Sequence, residues 1–192
     1  MKNKLTNGWY VYDPNFFTRI EADEYFDYFL NNLGWQGGEI KLFGKTYAIP
    51  RKQIYFADEG MNYSYSGKSL NIAPWDKEID GIRNKIMSQF DHPINACLAN
   101  LYRDGIDSNG WHADDEKELG KNPVICSVSL GAMRKFQLKH KNNGERIQLF
   151  LEHGSLLIMG GEMQHFWKHQ VPKEPKIDIP RINLTFRRII NV

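Results

Sequence analysis

The sequence predicts a mainly β protein with flanking helices (α+β), its strands arranged as a sandwich or jelly roll. Three observations lead there. From Ile94 onward, short β-rich runs follow one another: ACLANLYR, VICSVSL, KFQLKH, RIQLFL, SLLIMG, HFWKHQV and RINLTFRRI. The breaks between them carry Gly, Asn, Asp or Pro and hold no helical pattern, which favours two packed sheets over alternating βα units. Two stretches of helical periodicity precede them and can cover one side of the sheets.

Taken in chain order, Glu21 to Leu33 sets Ala22, Tyr25, Phe26, Phe29, Leu30 and Leu33 at helical spacing, with Gly34 as the stop. Glu39 to Ile49 reads as a hairpin, IKLF and TYAI joined through Gly44-Lys45. A second helix follows Pro74, with Ile79, Ile82, Ile86, Met87 and Phe90 as its apolar stripe. The strand-rich half then runs to the end. There are no repeats and no linker-like stretch, so residues 1–192 are expected to form one domain. Its N-terminal elaboration covers about 1–94 and its jelly-roll core about 95–192.

Length and composition bound the class. A chain of 192 residues, 41% hydrophobic and 25% charged, suits one well-buried core. No apolar run reaches the roughly 18 residues of a membrane-spanning helix. The opening MKNKLTNGWYVYDPNFF lacks the features of a signal peptide. Cys97 and Cys126 sit in apolar stretches and read as reduced core residues. A cytoplasmic protein is therefore expected, or a nuclear one in a eukaryote, neither secreted nor bound to membrane. Nothing calls for an obligate partner, so a monomer is expected. A net charge of +2 leaves room for one local basic face and does not by itself demand a polyanionic partner.

Chemistry enters with His112-Ala113-Asp114. On an extended segment residues two apart point the same way, so the imidazole and the carboxylate can face one ion. A third imidazole would complete a two-His, one-carboxylate face that leaves the opposite coordination positions open. Alone, such a tripeptide is weak, since a surface His and a turn Asp are commoner. Downstream, either His165 or His169 can reach back to the same ion. His92, His140 and His153 read as structural or solvated.

The C-terminal PRINLTFRR is the second constellation. Arg181, Asn183, Thr185 and Arg187 share one parity, and Leu184, Phe186 and Arg188 share the other. Two guanidiniums and an amide facing inward are costly to bury without an anion. Arg holds carboxylates in a bidentate fork. Asn100 and Tyr102, two apart in ANLYRDG, can donate to the same dicarboxylate.

The ordered set NLYRDG, WHADDE, SVSLGAMRKFQLKHK, HGSLLIMGG, WKHQVP and PRINLTFR resembles the AlkB family of oxidative nucleic-acid dealkylases over roughly residues 40–190. That resemblance implies a double-stranded β-helix (jelly roll) with an N-terminal nucleotide-recognition lid. It implies iron(II) held by His112, Asp114 and His169, with His169 chosen by its W-x-H-x-V-P context. It also implies 2-oxoglutarate and O2 as cosubstrates, with Asn100, Tyr102, Arg181, Asn183 and Arg187 in the 2-oxoglutarate pocket. Within the family, the segment Pro50–Gly67 is similar to the lid of the animal-type DNA-repair members. There Tyr63 and Tyr65 would flank an extruded base, and Arg51 and Lys52 would approach phosphates. Phe43 matches the finger that fills the gap left by the flipped base.

The reaction so implied is oxidative demethylation of 1-methyladenine and 3-methylcytosine, releasing formaldehyde, succinate and CO2. Asp115 and Glu116 are expected to face the cationic lesion, the rival role being to orient a ligand imidazole. The implied partner is alkylated DNA, with RNA as an alternative. Phe43 and the Pro50–Gln53 segment favour duplex, with single strands also accepted. In the loop VPKEPKIDIP, Lys173 and Lys176 can meet the second strand, while Glu174 and Asp178 interrupt the basic cluster. Competing readings are an oxygenase acting on protein or small molecules, a non-catalytic nucleic-acid-binding module, and a cupin-type metal protein. The last leaves the Arg181-Asn183-Arg187 face unexplained.

Overall fold

In the computed structural model, which describes residues 1–42, 45–61, 64–65, 68–69 and 71–190, the chain opens with an antiparallel hairpin. Strands β1 (Lys2–Leu5) and β2 (Gly8–Asp13) turn through Asn7, at φ 58°. Asn is among the few non-glycine residues that tolerate this left-handed conformation. Helix α1 (Arg19–Asn32) starts at a capping box, with Thr18 and Glu21 satisfying each other's backbone N–H. Gly34 does not end it: Leu33 is already extended, and the Phe29 carbonyl accepts from both the Leu33 N–H and the Trp35 indole N–H.

The expected hairpin is present but longer. β3 (Gln36–Leu42) pairs with β4 (Lys45–Ala57), with an irregular register between Gly37 and Glu39. β5 (Ser64–Tyr65) and β6 (Lys68–Ser69) pair with each other, and β7 (Ile72–Ala73) runs parallel to β4. Helix α2 (Lys77–Phe90) begins at Asp76, whose carboxylate accepts from the Glu78 and Ile79 amides. Ile79, Ile82 and Ile86 are fully buried, each stabilising by about 1.5–3 kcal/mol relative to exposure. Phe90, expected in that stripe, is exposed because the helix ends there as the chain turns away through Asp91 at φ 43°.

The second half supplies β8 (Ala96–Tyr102), β9 (Asn109–His112), β10 (Ile125–Gly131), β11 (Arg134–His140), β12 (Arg146–Leu151) and β13 (Ser155–Gly160). It continues with α3 (Met163–Phe166), β14 (Trp167–Val171) and β15 (Arg181–Arg187). The run expected to be one strand, HFWKHQV, is thus divided: His165 belongs to a single helical turn and only Trp167–Val171 is strand.

Two sheets face each other. The larger runs β1-β2-β13-β10-β15-β8-β4-β3, and the smaller runs β12-β11-β14-β9. Strands from the first 60 residues therefore extend both ends of the larger sheet. Its outer face, with Cys97, Ala99, Val128, Ile158, Leu184 and Phe186, packs on α1 and α2. Between the sheets lies a second core, where Tyr102, Ile125 and Met159 meet Phe136, Leu138, Trp167 and Val171. Period-two alternation on β15 sends Ile182, Leu184 and Phe186 to the helices and the polar parity to the inter-sheet side. Cys97 and Cys126 are buried free thiols. Among the described residues no helix is long and apolar enough to cross a membrane.

Candidate active site

The candidate metal-ligating set comes from one strand pair and the loop after it. His112 ends β9 and lies directly opposite His169 of β14, which brings their ring centroids to 4.2 Å. Asp114 follows two residues later. Its backbone N–H donates to Gln164 Oε1 of α3 at 3.1 Å, so the helical turn before β14 pins the loop that carries the carboxylate. Ligand atoms of His112, Asp114 and His169 all lie within 4.8 Å of one another. His165 is elsewhere: its Nε2 accepts from the Asn122 amide. The choice left open by spacing is thus made by register.

Electrostatics suit a divalent ion. Burial, helped by His112, pushes the His169 imidazole down to about 3, and burial also lowers His112. Both rings are therefore neutral, with lone pairs to give. His112 Nδ1 lies 2.7 Å from the Gly110 carbonyl; with the proton there, Nε2, which stands 3.2 Å from Asn109 Nδ2, carries the lone pair that a metal would take. Burial would raise the Asp114 carboxyl, but Arg187, His169 and His112 outweigh it and hold it below the usual carboxylate range. Two neutral imidazoles and a carboxylate on one side of a cavity match the face used by non-haem iron(II).

That cavity continues along β15. Asn100, Tyr102, Asn183, Thr185 and Arg187 line it, together with apolar Leu98, Ile125 and Met159 of the same sheet and Phe136 and Val171 of the facing one. Arg187 Nη1 stands 3.8 Å from Asp114 Oδ1. On the same side of β15, the fully buried Arg181 packs against the Tyr102 ring and donates from Nη2 to Ser129 Oγ at 2.9 Å, while among the described residues its Nε and Nη1 meet no hydrogen-bond acceptor. No described carboxylate pairs with it, and burial lowers its guanidinium to about 10. A desolvated guanidinium with two open N–H groups fits a carboxylate ligand. Asn183 is more committed: its amide hydrogens go to Ser127 Oγ and the Val128 carbonyl, and its Oδ1 accepts from Thr185.

Other expected contacts fall elsewhere. Arg51 does not reach outward to a phosphate: it is 4% exposed and donates to Asn100 Oδ1 and the Ser108 carbonyl. The reason is parity, since Arg51, Gln53 and Tyr55 share the inter-sheet side of β4 and Lys52 takes the opposite one. Asp115 is exposed and paired with Lys141 at 3.2 Å, and neither it nor Glu116 lines the cavity. Phe43 and Tyr63 lie outside the described residues, as does the side chain of Tyr65. Ser127, Ser129, Gln53 and Gln164 are site residues that sequence reasoning passed over. The two serines carried a usable signal, a shared parity in the otherwise apolar VICSVSL.

Comparison with known proteins agrees with this geometry. Residues 10–187 match the model of the 2OG-Fe(II) oxygenase superfamily. The human DNA oxidative demethylase ALKBH2 is 37% identical over 189 residues, covering 91% of this chain and 71% of that protein. The human alpha-ketoglutarate-dependent dioxygenase alkB homolog 3 is 37% identical over 186 residues, covering 92% of this chain and 64% of that one. In fold, the chain is similar to the solved structure of OsALKBH1, with a TM-score of 0.65 at 18% identity, covering 97% of this chain and all of that one. The chain therefore belongs to the AlkB family within the 2OG-Fe(II) oxygenase superfamily, and is an iron(II)- and 2-oxoglutarate-dependent dioxygenase.

Proposed function

We propose that this protein is a DNA oxidative demethylase acting on 1-methyladenine and 3-methylcytosine, prefers duplex and accepts single strands. The observation that carries the reading is the His112-Asp114-His169 face set beside the buried, anion-free Arg181, in a chain 37% identical to a protein named for that activity. Iron(II) held by His112, Asp114 and His169, with 2-oxoglutarate and O2, would supply the oxidising power to hydroxylate an N-methyl group, whose carbon would leave as formaldehyde with succinate and CO2 as coproducts.

The chain's own residues do the rest. His112, Asp114 and His169 hold the ion on one side and leave the cavity side open. Arg181 would hold a carboxylate of the dicarboxylate, and Asn100 and Tyr102 would donate to it from β8. The apolar lining of Leu98, Ile125, Phe136, Met159 and Val171 keeps water from the reacting atoms. Phe43, Tyr63 and Tyr65 serve the extruded base. One chain completes the site, which supports a monomer built as a single catalytic domain.

The test is incubation of the iron-loaded protein with 2-oxoglutarate, O2 and oligonucleotides bearing 1-methyladenine, single-stranded or annealed. Formaldehyde and the unmodified base should appear together, faster on duplex. Succinate formation that methylated DNA fails to stimulate would sink the DNA assignment and favour a protein or small-molecule substrate.

A further inference from the structure

Asn100 is held by a buried polar cluster that the reaction described so far does not use. Its Oδ1 accepts from Arg51 Nε at 2.9 Å and from Gln53 Nε2 at 2.8 Å. All three side chains are less than 9% exposed. β4 and β8 are antiparallel neighbours with Gln53 opposite Asn100, so both donors approach from one strand and one side. A guanidinium has no acceptor atom. The two ends of an Asn amide are alike in shape, and its orientation follows from its partners. Here two donors, one of them cationic, require the oxygen to face β4. The NH2 end is then turned away from β4, and among the described residues its partner is the Leu98 carbonyl, at a long 3.4 Å. Asn100 lines the cavity next to the metal ligands. Arg51 also donates through Nη1 to the Ser108 carbonyl, one residue before β9 begins.

We infer that Arg51 and Gln53 are positioning residues that fix the Asn100 amide as a hydrogen-bond donor to the 2-oxoglutarate carboxylate. Without them the amide can turn its oxygen toward the cavity, where it would repel the anion that it now attracts. The direction is set by charge as well as by geometry: hydrogen bonds to an ionised donor are about twice as strong as neutral ones. Arg51 is thereby removed from the nucleic-acid interface and placed behind the cosubstrate. The Ser108 contact makes the same guanidinium a brace between the cosubstrate wall and the strand that carries His112.

This rests on the cosubstrate pocket proposed above, and the experiment separates the two. Binding of 2-oxoglutarate to the manganese-loaded protein is measured by calorimetry under argon for wild type, Asn100→Ala, Arg51→Met and Gln53→Leu. Binding of a methylated duplex is measured separately across a salt series. Asn100→Ala and Arg51→Met should each weaken 2-oxoglutarate by about tenfold, and Gln53→Leu by about threefold. Duplex affinity and its salt slope should stay at the wild-type values in all three.

Unchanged 2-oxoglutarate affinity in Asn100→Ala overturns the pocket assignment itself. Loss in Asn100→Ala with none in Arg51→Met or Gln53→Leu overturns the positioning role alone. Weaker duplex binding and a salt slope reduced by about one in Arg51→Met, with the cosubstrate unaffected, would return Arg51 to a phosphate contact. Should Arg51→Met fail to fold, Gln53→Leu carries the same comparison. An added Asn100→Ala change should then cost Gln53→Leu less than it costs wild type, because both act on one hydrogen bond.

Discussion

At the scale of single residues, burial makes the metal face what it is. His169 is fully enclosed against His112 and Phe136, so its imidazole is neutral down to about pH 3. Unfolded, the same group titrates near 6.5. The unfolded chain then binds more protons, so the stability from His169 is complete above about pH 6.5 and is lost progressively as pH falls toward 3. Denaturation of the metal-free protein from pH 7.5 to 5 should show this decline, and His169→Gln should flatten it. An equally steep curve in the variant would assign the decline to other groups. Asp114→Asn keeps the shape but removes the only anion of the triad, so iron(II) affinity should fall at least 100-fold, read by calorimetry. In the proposed pocket, Arg181 is the cosubstrate counterpart. Replacing it with Met should raise the 2-oxoglutarate KM more than tenfold and leave the KM for DNA unchanged, as expected for a lost charge-assisted contact.

Among the elements, the segment after β14 is held in a way that its composition conceals. Arg134 of β11, 1% exposed, donates to Glu174 Oε2 and to the Asp104, Asp107 and Pro172 carbonyls. The Glu174 amide donates to the Gly105 carbonyl, and Gly105 N–H to that of Ile177. This cluster ties the loop after the His169 strand to the loop that precedes the His112 strand. Glu174, expected as an interruption in a basic cluster, is the counter-ion of Arg134 and Lys135. Arg134→Met leaves those acceptors bare and should cost about 3–5 kcal/mol, lowering the melting temperature by roughly 10 °C. Gly105 has no room for a side chain, since a Cβ there would sit 1.9 Å from the Glu174 carbonyl oxygen. Gly105→Ala should therefore move this loop and destabilise by more than about 1 kcal/mol. A melting curve that matches wild type for either variant would refute the brace.

For the whole molecule, the N-terminal hairpin is structural. β2 pairs with β13 along Trp9–Asp13, and the Trp9 ring fills the space beside Gly160 where a Cβ would come within 2.3 Å. Trp167, two residues before the distal histidine, donates its indole N–H to the Thr6 carbonyl. Removing residues 1–13 exposes β13 as a bare apolar edge, an aggregation hazard. The truncated chain should melt well below the full one and self-associate, measured by differential scanning fluorimetry and light scattering. This hairpin was readable, for Asn7-Gly8 between β-prone runs is a hairpin signal. Its period-two alternation is weaker than that of the strands after Ile94.

By itself the sequence determined what local periodicity encodes. Period-two alternation marked the strands, helical spacing placed α1 and α2, the H-x-D pair marked a metal site, and the parity of Arg181, Asn183 and Arg187 marked an anion pocket. Spacing alone leaves His165 and His169 open and the W-x-H-x-V-P context favours His169; the tertiary structure sets His169 opposite His112, through a strand register that joins residues 57 positions apart. It alone turned Arg51 inward, since the side of β4 that faces the second sheet depends on its pairing with β8. It also gave Glu174 to Arg134. Each of these depends on contacts between strands far apart in the chain, and such register is fixed by the packing of the whole core rather than by the residues nearby.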